Sequence, residues 1–381
     1  MSKSIRPPSL HLLRVVLPLT GVLFLWPSSL AAQVSYVARF TLDKPSSLVG
    51  EPIFCTFSIH NTGAQAFAFA YRNPTRIVNP ELDSEPRFSV VDAAGRRVAD
   101  PAPRRCGGAK GTAVYGSVSL PPGQMHTERW LLNQWARFSR PGKYRVHAER
   151  RLPLLGLDAQ QKEFSGPPVA FAAALNDLTI DVAPATKEQL QGVFEAYEKV
   201  VRRPEARGFP ETVQAVTTLP QSFLRDELVL LASASPGERR WDREQALEGL
   251  ARLGTPAAWD AILQIAQGGD GSERVASPES TEKVDSLRAY AILLLAEKGD
   301  RRFLPPILAL LPKAPESLRG EILRALGFFR DERANAVLFE RLHAPARDDR
   351  VNALLGLRNL ENKDVIPALI AMLKDPEVQV R

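Results

Sequence analysis

RVNALLGLRNLENKDVIPALIAMLKDPEVQVR, from Arg350 to Arg381, decides how this chain is read. Its apolar residues recur at three- and four-residue steps, the mark of helices that bury one face. The stretch has relatives upstream: Arg319 opens RGEILRALGFFRDERANAVLFERL, and Arg288 opens RAYAILLLAEKGDRRFLPPILALL. The spacing from Arg288 to Arg319, then to Arg350 and to Arg381, is 31 residues each time. Side chains expected in a core keep the same register. Leu295, Leu326 and Leu357 stand seven residues after their arginines, Ile307, Leu338 and Leu369 nineteen after, and Leu311, Leu342 and Leu373 twenty-three after. An earlier copy starts at Arg243, with Leu250 and Ile262 in the matching places. It lies 45 residues before Arg288, and the polar stretch GGDGSERVASPEST (268–281) accounts for the extra fourteen as a loop inserted between helix pairs. A fainter copy, VQAVTTL to LVLLA, occupies 213–232.

Two helices repeated at this period imply an α-solenoid, in which each pair buries its apolar face against its neighbours. From Trp241 to Arg381 the chain resembles HEAT repeats, specifically the short PBS-lyase HEAT-like type. The Asp-Pro of DPEVQVR (375–381) and its final Val-Arg match that family's inter-repeat turn. The resemblance implies an extended surface for contact with another protein, and an aspartate paired with an arginine across the seams. Ala344, Lys313 and Glu282 hold the place of Asp375 in earlier seams, so a continuous Asp–Arg ladder is not expected. The family's name points to bilin attachment, an activity absent from many proteins with such repeats.

DPEVQVR is expected to turn the chain into the second helix of a pair, with Ile366, Leu369, Ile370 and Leu373 on one face of the first. No helix follows in the sequence to cover that face, and leaving it bare forgoes about 1.5–3 kcal/mol per side chain. Solenoids ordinarily end in a polar cap, so further repeats past Arg381 are expected in the natural chain.

Upstream of Pro184 the texture is different. Pro and Gly punctuate short segments rich in β-branched and aromatic residues: VSYVARFTL (34–42), PIFCTFSIHNTG (52–63), FAFAY (67–71), RFSVVDAAGRRV (87–98), YGSVSL (115–120), ERWLLNQW (128–135), GKYRVHAER (142–150) and DLTIDV (177–182). In the second, Ile53, Cys55, Phe57 and Ile59 alternate with Phe54, Thr56, Ser58 and His60, as a half-buried strand requires. Several strands at this spacing predict a two-sheet sandwich. Trp130 and Trp135, five apart on one extended segment, are expected on opposite sides.

This half resembles immunoglobulin-like sandwich modules of bacterial exported proteins, through VGEPIFCTFSIHNTG, the LPPGQ turn (120–124) and RPGKYRV (140–146). A similar arrangement, LPPGQ leading through a Trp strand to PGKY, occurs in a family of small bacterial proteinase inhibitors, which makes inhibition an alternative activity. The expected organisation is therefore multidomain, β followed by α: a signal peptide over 1–32, an Ig-like β-sandwich over 33–183, linking helices with a degenerate repeat over 184–240, and a HEAT-like α-α solenoid over 241–381, incomplete at its C-terminal end.

The signal reading rests on Lys3, Arg6 and Arg14 ahead of the apolar VVLPLTGVLFLW (15–26) and the small residues of SSLAAQ, where cleavage after Ala31 or Ala32 is expected. That run is short of the roughly 20 residues needed to span a bilayer, and no later segment is apolar enough. The expected location is periplasmic or extracellular. Export permits a disulfide between Cys55 and Cys106, the chain's two cysteines, which would stabilise by about 3–4 kcal/mol; two buried free thiols are the alternative.

The chain carries 49 basic and 43 acidic residues, without Lys/Arg runs, so nucleic acid is not an expected partner. Motifs for chemistry do not assemble either. The five histidines (11, 60, 126, 147 and 343) make no HxH or HExxH, and no GxSxG surrounds a serine. CGGAKGT (106–112) places Lys110 before Gly111, the reverse of a P-loop. Paired acids such as Asp348 with Asp349, or Asp331 with Glu332, fall at inter-helix turns, where they favour helix N-termini. No catalytic, cofactor or metal site is expected. The sequence reads as an exported interaction protein whose partner is another protein of the cell envelope.

Overall fold

A computed structural model of the chain describes residues 34–72, 85–101, 115–156, 168–203, 210–233, 240–268, 278–360 and 363–381. The expected signal peptide, Cys106 and the glycines of CGGAKGT lie outside the described residues. Among the described residues, the first half is β-rich and the second helical, with the change at Thr186.

The strands in chain order are β1 (Tyr36–Leu42), β2 (Ser46–Leu48), β3 (Phe54–Asn61), β4 (Phe67–Arg72), β5 (Arg87–Asp92), β6 (Tyr115–Leu120), β7 (Met125–Leu131), β8 (Gly142–Gly156) and β9 (Ala170–Ala183). They form two sheets. The smaller is antiparallel in the order β1-β3-β7, and the larger runs β2-β9-β8-β4-β6, with β5 also paired to β8. Inward side chains of both, among them Phe40, Phe57, Ile59, Trp130, Val146, Leu152 and Ile180, bury one common core.

Polar groups join the sheets as well. The Asn176 side chain, from β9, accepts from the Phe40 backbone N–H and donates to the Phe40 carbonyl, both at 3.0 Å, standing in for a missing ladder partner along β1. Arg150 on β8 donates to Glu128 on β7 at 2.8 Å in the interior, its guanidinium 4.4 Å from the Phe57 ring centre. Burial pushes the Glu128 carboxyl up, but the hydrogen bond from His126 and the charge of Arg150 outweigh it and hold it below the usual range.

The strand pattern departs from expectation in three places. β8 and β9 run well past the segments read from the sequence, β2 carries no strand signal of its own, and β7 stops at Leu131. A single 3-10 turn, Leu132–Gln134, follows β7 and rotates the chain. Trp130 and Trp135 are therefore not on opposite sides: their ring centres are 6.0 Å apart and both pack on the same core.

The helices are α1 (Lys187–Val201), α2 (Pro210–Thr218), α3 (Arg225–Ala232), α4 (Arg240–Leu253), α5 (Pro256–Ala266), α6 (Pro278–Lys298), α7 (Leu304–Leu310), α8 (Glu316–Leu326), α9 (Glu332–Arg341), α10 (Arg347–Arg358) and α11 (Ile366–Met372). Thr186 starts the series with a reciprocal capping box to Gln189. The pairs are α2/α3, α4/α5, α6/α7, α8/α9 and α10/α11, in line with the 31-residue ruler. The proposed insertion ends sooner than expected, because Pro278 already opens α6; Pro suits a first helical turn, where no N–H is needed.

The turn inside each pair repeats too. Gly254 and Gly299 adopt positive φ, and so does Arg330, at the corresponding place. The next residue, Thr255, Asp300 or Asp331, caps the second helix through its side chain. One continuous core runs from Phe194 to Val380.

Candidate functional site

The surfaces open to a partner are defined by how the helix pairs close on one another. The repeat arginines make those seams, each donating to a carbonyl at the end of the preceding pair. Arg243 reaches Ala232 O at 3.0 Å and Arg288 reaches Ala266 O at 3.2 Å. Arg319 reaches Ala314 O at 3.5 Å, Arg350 reaches Ala344 O at 3.0 Å, and Arg381 reaches Asp375 O at 2.8 Å. A helix leaves its last carbonyls without intrahelical partners, and a cation at that end also suits the helix dipole. This explains why one arginine recurs every 31 residues.

Two seams add a carboxylate. Arg350 grips Asp375 with two bonds, at 2.8 and 3.0 Å, and that hydrogen bonding holds the Asp375 carboxyl below its ordinary range. Arg319 uses Asp349, at 2.8 Å, with Arg341 also 3.5 Å away. The sequence reading had Asp349 favouring a helix N-terminus; it is instead a buried seam residue in the first turn of α10. Asp331 does cap α9 as expected, accepting from the Arg333 N–H at 3.0 Å.

Leu250, Leu295, Leu326 and Leu357 are fully buried. The first helices of successive pairs approach closely: a Cβ on Gly327 would lie 2.0 Å from the Gly356 carbonyl oxygen, and one on Gly356 would lie 2.4 Å from that of Leu323. Only glycine permits such backbone contact between α8 and α10. Along this row Tyr290 donates to Glu248 at 2.6 Å, Arg252 to Thr217 O at 2.7 Å and Asn359 to Arg324 O at 3.1 Å, so each bond crosses a seam. No single sequence motif announced these partners; they become visible only once the ruler aligns the pairs.

The two ends of the helical stack differ. At the first, the outer face of the small sheet covers α1 and α2: Phe54 and Leu131 are buried against Ala215 and Tyr197. Arg129 on β7 bonds Asp43 at 2.9 Å and pairs with Glu211 in the first turn of α2, while its guanidinium lies 4.4 Å from the Phe54 ring centre. Burial raises the Tyr197 hydroxyl above its usual range. At the other end, Ile366, Ile370 and Leu373 on α11 are 47%, 57% and 60% exposed. Leu369, expected with them, is instead half-buried and packs on the core. The helix carrying them is the second of its pair, not the first.

Cys55 lies in β3, its thiol pushed up to about 12, mainly by burial and then by the charge of Asp43; its proposed partner Cys106 is outside the described residues. His60 and His147 sit on strand faces as expected, with His147 bonded to Asp177 at 2.7 Å. Among the described residues no three His, Cys, Asp or Glu side chains gather as a metal site, and no helix is long and apolar enough to cross a membrane.

Residues 349–375 match the family model of the PBS lyase HEAT-like repeat, so α10 and α11 form a HEAT-type repeat. No curated protein matches the chain. Among solved structures, a designed armadillo repeat protein is similar over 51% of this chain and 90% of its own, at 16% identity and a TM-score of 0.27. The CARDB domain of a Pyrococcus furiosus protein, in complex with di-metal ions, is similar over 40% of this chain and 97% of its own, at 11% identity and a TM-score of 0.19. A β-glucosidase from Listeria innocua, in complex with glucose, is similar over 39% of this chain, at 11% identity and a TM-score of 0.20; the chain spans 16% of that enzyme's length.

Proposed function

We propose that the protein is an exported, non-enzymatic interaction scaffold of the cell envelope, an immunoglobulin-like sandwich joined to a HEAT-like solenoid that binds another protein. HEAT-type repeats generally mediate contact between proteins, and the observation that carries the reading is the series of equivalent seams in the helical half. Identical arginine-to-carbonyl bonds hold successive pairs in one register, which presents a long ordered surface without committing any side chain to chemistry. Export rests on the basic, apolar and small-residue order of the first thirty-two residues.

The test is photo-crosslinking in the envelope, with a crosslinkable residue placed in turn at Tyr290, Arg324, Asn352 and Ile370 of the folded protein. A discrete crosslinked protein at one or more of these positions is the expected result. No crosslink at any of them, with the protein exported and folded, overturns the reading.

A further inference from the structure

The open end of the stack has the geometry of a seam that is half made. Leu311 and Leu342, twenty-three residues after their arginines, are 5% and 2% exposed, whereas Leu373 in the same register is 60% exposed. The electrostatic half of that last seam is nonetheless complete. Arg381 donates to the Asp375 and Pro376 carbonyls as Arg350 donates to those of Ala344 and Pro345, and Val380 is buried in the continuous core. In the preceding seam, the element that follows Arg350's bonds is a first helix, α10, packed against α9 and α8.

We propose that the face formed by Ile366, Ile370 and Leu373 is a docking site for one amphipathic α-helix of a partner protein, seated in the register that α8 and α10 occupy in their own seams. The three side chains stand at i, i+4 and i+7, a single stripe. Continuity of interface favours this occupant: a helix placed there covers the stripe and also extends the row of first helices along α10.

Two other occupants fit less well. The exposed rim carries both signs, Lys363, Asp364, Lys374 and Glu377, while a lipid surface calls for a cationic rim. A second copy meeting this face alone would bring three exposed side chains to the contact, well short of the roughly 800 Å² per partner of a stable interface. The proposal rests on the interaction reading above and adds the site and the partner's form.

The probe is a capped, fluorescent peptide duplicating Arg347 to Arg358, the α10 segment, titrated into the full chain and followed by anisotropy, with light scattering in parallel. Saturable binding is expected, weakened at least about tenfold by Ile370→Asp and left unchanged by Phe171→Asp on the far sheet. Leu373→Glu repeats the test should the first variant fold poorly. Absence of binding at millimolar peptide, or binding indifferent to both α11 variants, overturns the proposal. So does a dimer of the chain that Ile370→Asp dissociates, which would give the face to a second copy. Crosslinks at Tyr290 or Arg324 would persist in any of these cases, so the broader reading is judged separately.

Discussion

The helical stack has one covered end and one bare end, although both are built from the same kinds of residue. At the first, Phe54 and Leu131 of the small sheet lie against α1 and α2, and Arg129 ties Asp43 to Glu211 across the junction. At the last, Ile370 and Leu373 face solvent with no such neighbour among the described residues. An apolar stripe on a helix is thus not by itself a statement about burial. What decides is whether another element supplies the complementary face, and here a β-sheet does that work at one end only.

Exchanging one leucine for aspartate at each end gives the largest contrast. Leu131→Asp places a carboxylate in the junction with nothing arranged to receive it and is expected to destabilise by about 4 kcal/mol or more. Ile370→Asp adds a charge to a surface already wet and is expected to cost no more than about 0.5 kcal/mol. Chemical denaturation of the two variants checks the pair; equal losses would mean that the ends do not differ in cover.

Between the ends lies an interior seam that should behave like the covered one. Gly327→Ala drives a methyl onto the Gly356 carbonyl, so α8 and α10 must separate, at an expected cost of about 1–3 kcal/mol. The same denaturation curves measure it, and a neutral outcome would show that the helices slide apart freely.

Much of this was legible from sequence, and the misses have a common physical cause. The 31-residue ruler located the seams because the arginine and leucines that form them are local to each pair. Alternation in PIFCTFSIH identified the inward face of β3, with Cys55, Phe57 and Ile59 buried as read. Phe54 belongs to the opposite face, yet it is buried, because a helix that the strand's own pattern does not mention docks there. The exposed stripe was read one residue too wide for a similar reason: Leu369 turns toward α11's own pair, a matter of helix rotation that spacing alone leaves open. Trp135 was misplaced by a turn of three residues. The Asp349 pairing was hidden because the acid that serves Arg319 comes from the following helix, outside the position where the repeat family keeps its aspartate. The polar core pair Glu128–Arg150 had no signal beyond two charged residues on inward strand positions.

The seam arginines extend the comparison to a smaller scale. Arg350 serves two carbonyls and both oxygens of Asp375. Arg381 makes the corresponding carbonyl contacts at the bare end, with no carboxylate partner among its printed bonds to the described residues. Arg350→Ala should lower the melting temperature by a few degrees, because a buried carboxylate loses its counter-charge, while Arg381→Ala should leave it nearly unchanged. A calorimetric scan of each variant decides whether the last seam already contributes to stability.

The smallest effect separates the interior seams from the bare end by pH. Hydrogen bonds from Arg333, with that guanidinium and Arg301 nearby, hold Asp331 at about 2, against an ordinary 3.8. A carboxyl that binds its proton less readily when folded adds stability above its unfolded value, and that addition fades as pH falls from near 4 toward about 2. Asp375 is depressed in the same direction by Arg350, so it contributes in the same sense. Acid should therefore loosen the helical half over this window. Asp331→Asn keeps an N-cap for α9 but removes the titrating charge, so its helical signal should depend less on pH between 4 and 2 than that of the unaltered chain. Circular dichroism during acid titration of both proteins reads the difference. Coincident curves would mean that the ion pair is too well solvated to couple folding to protonation, leaving the N-cap bond as Asp331's whole contribution.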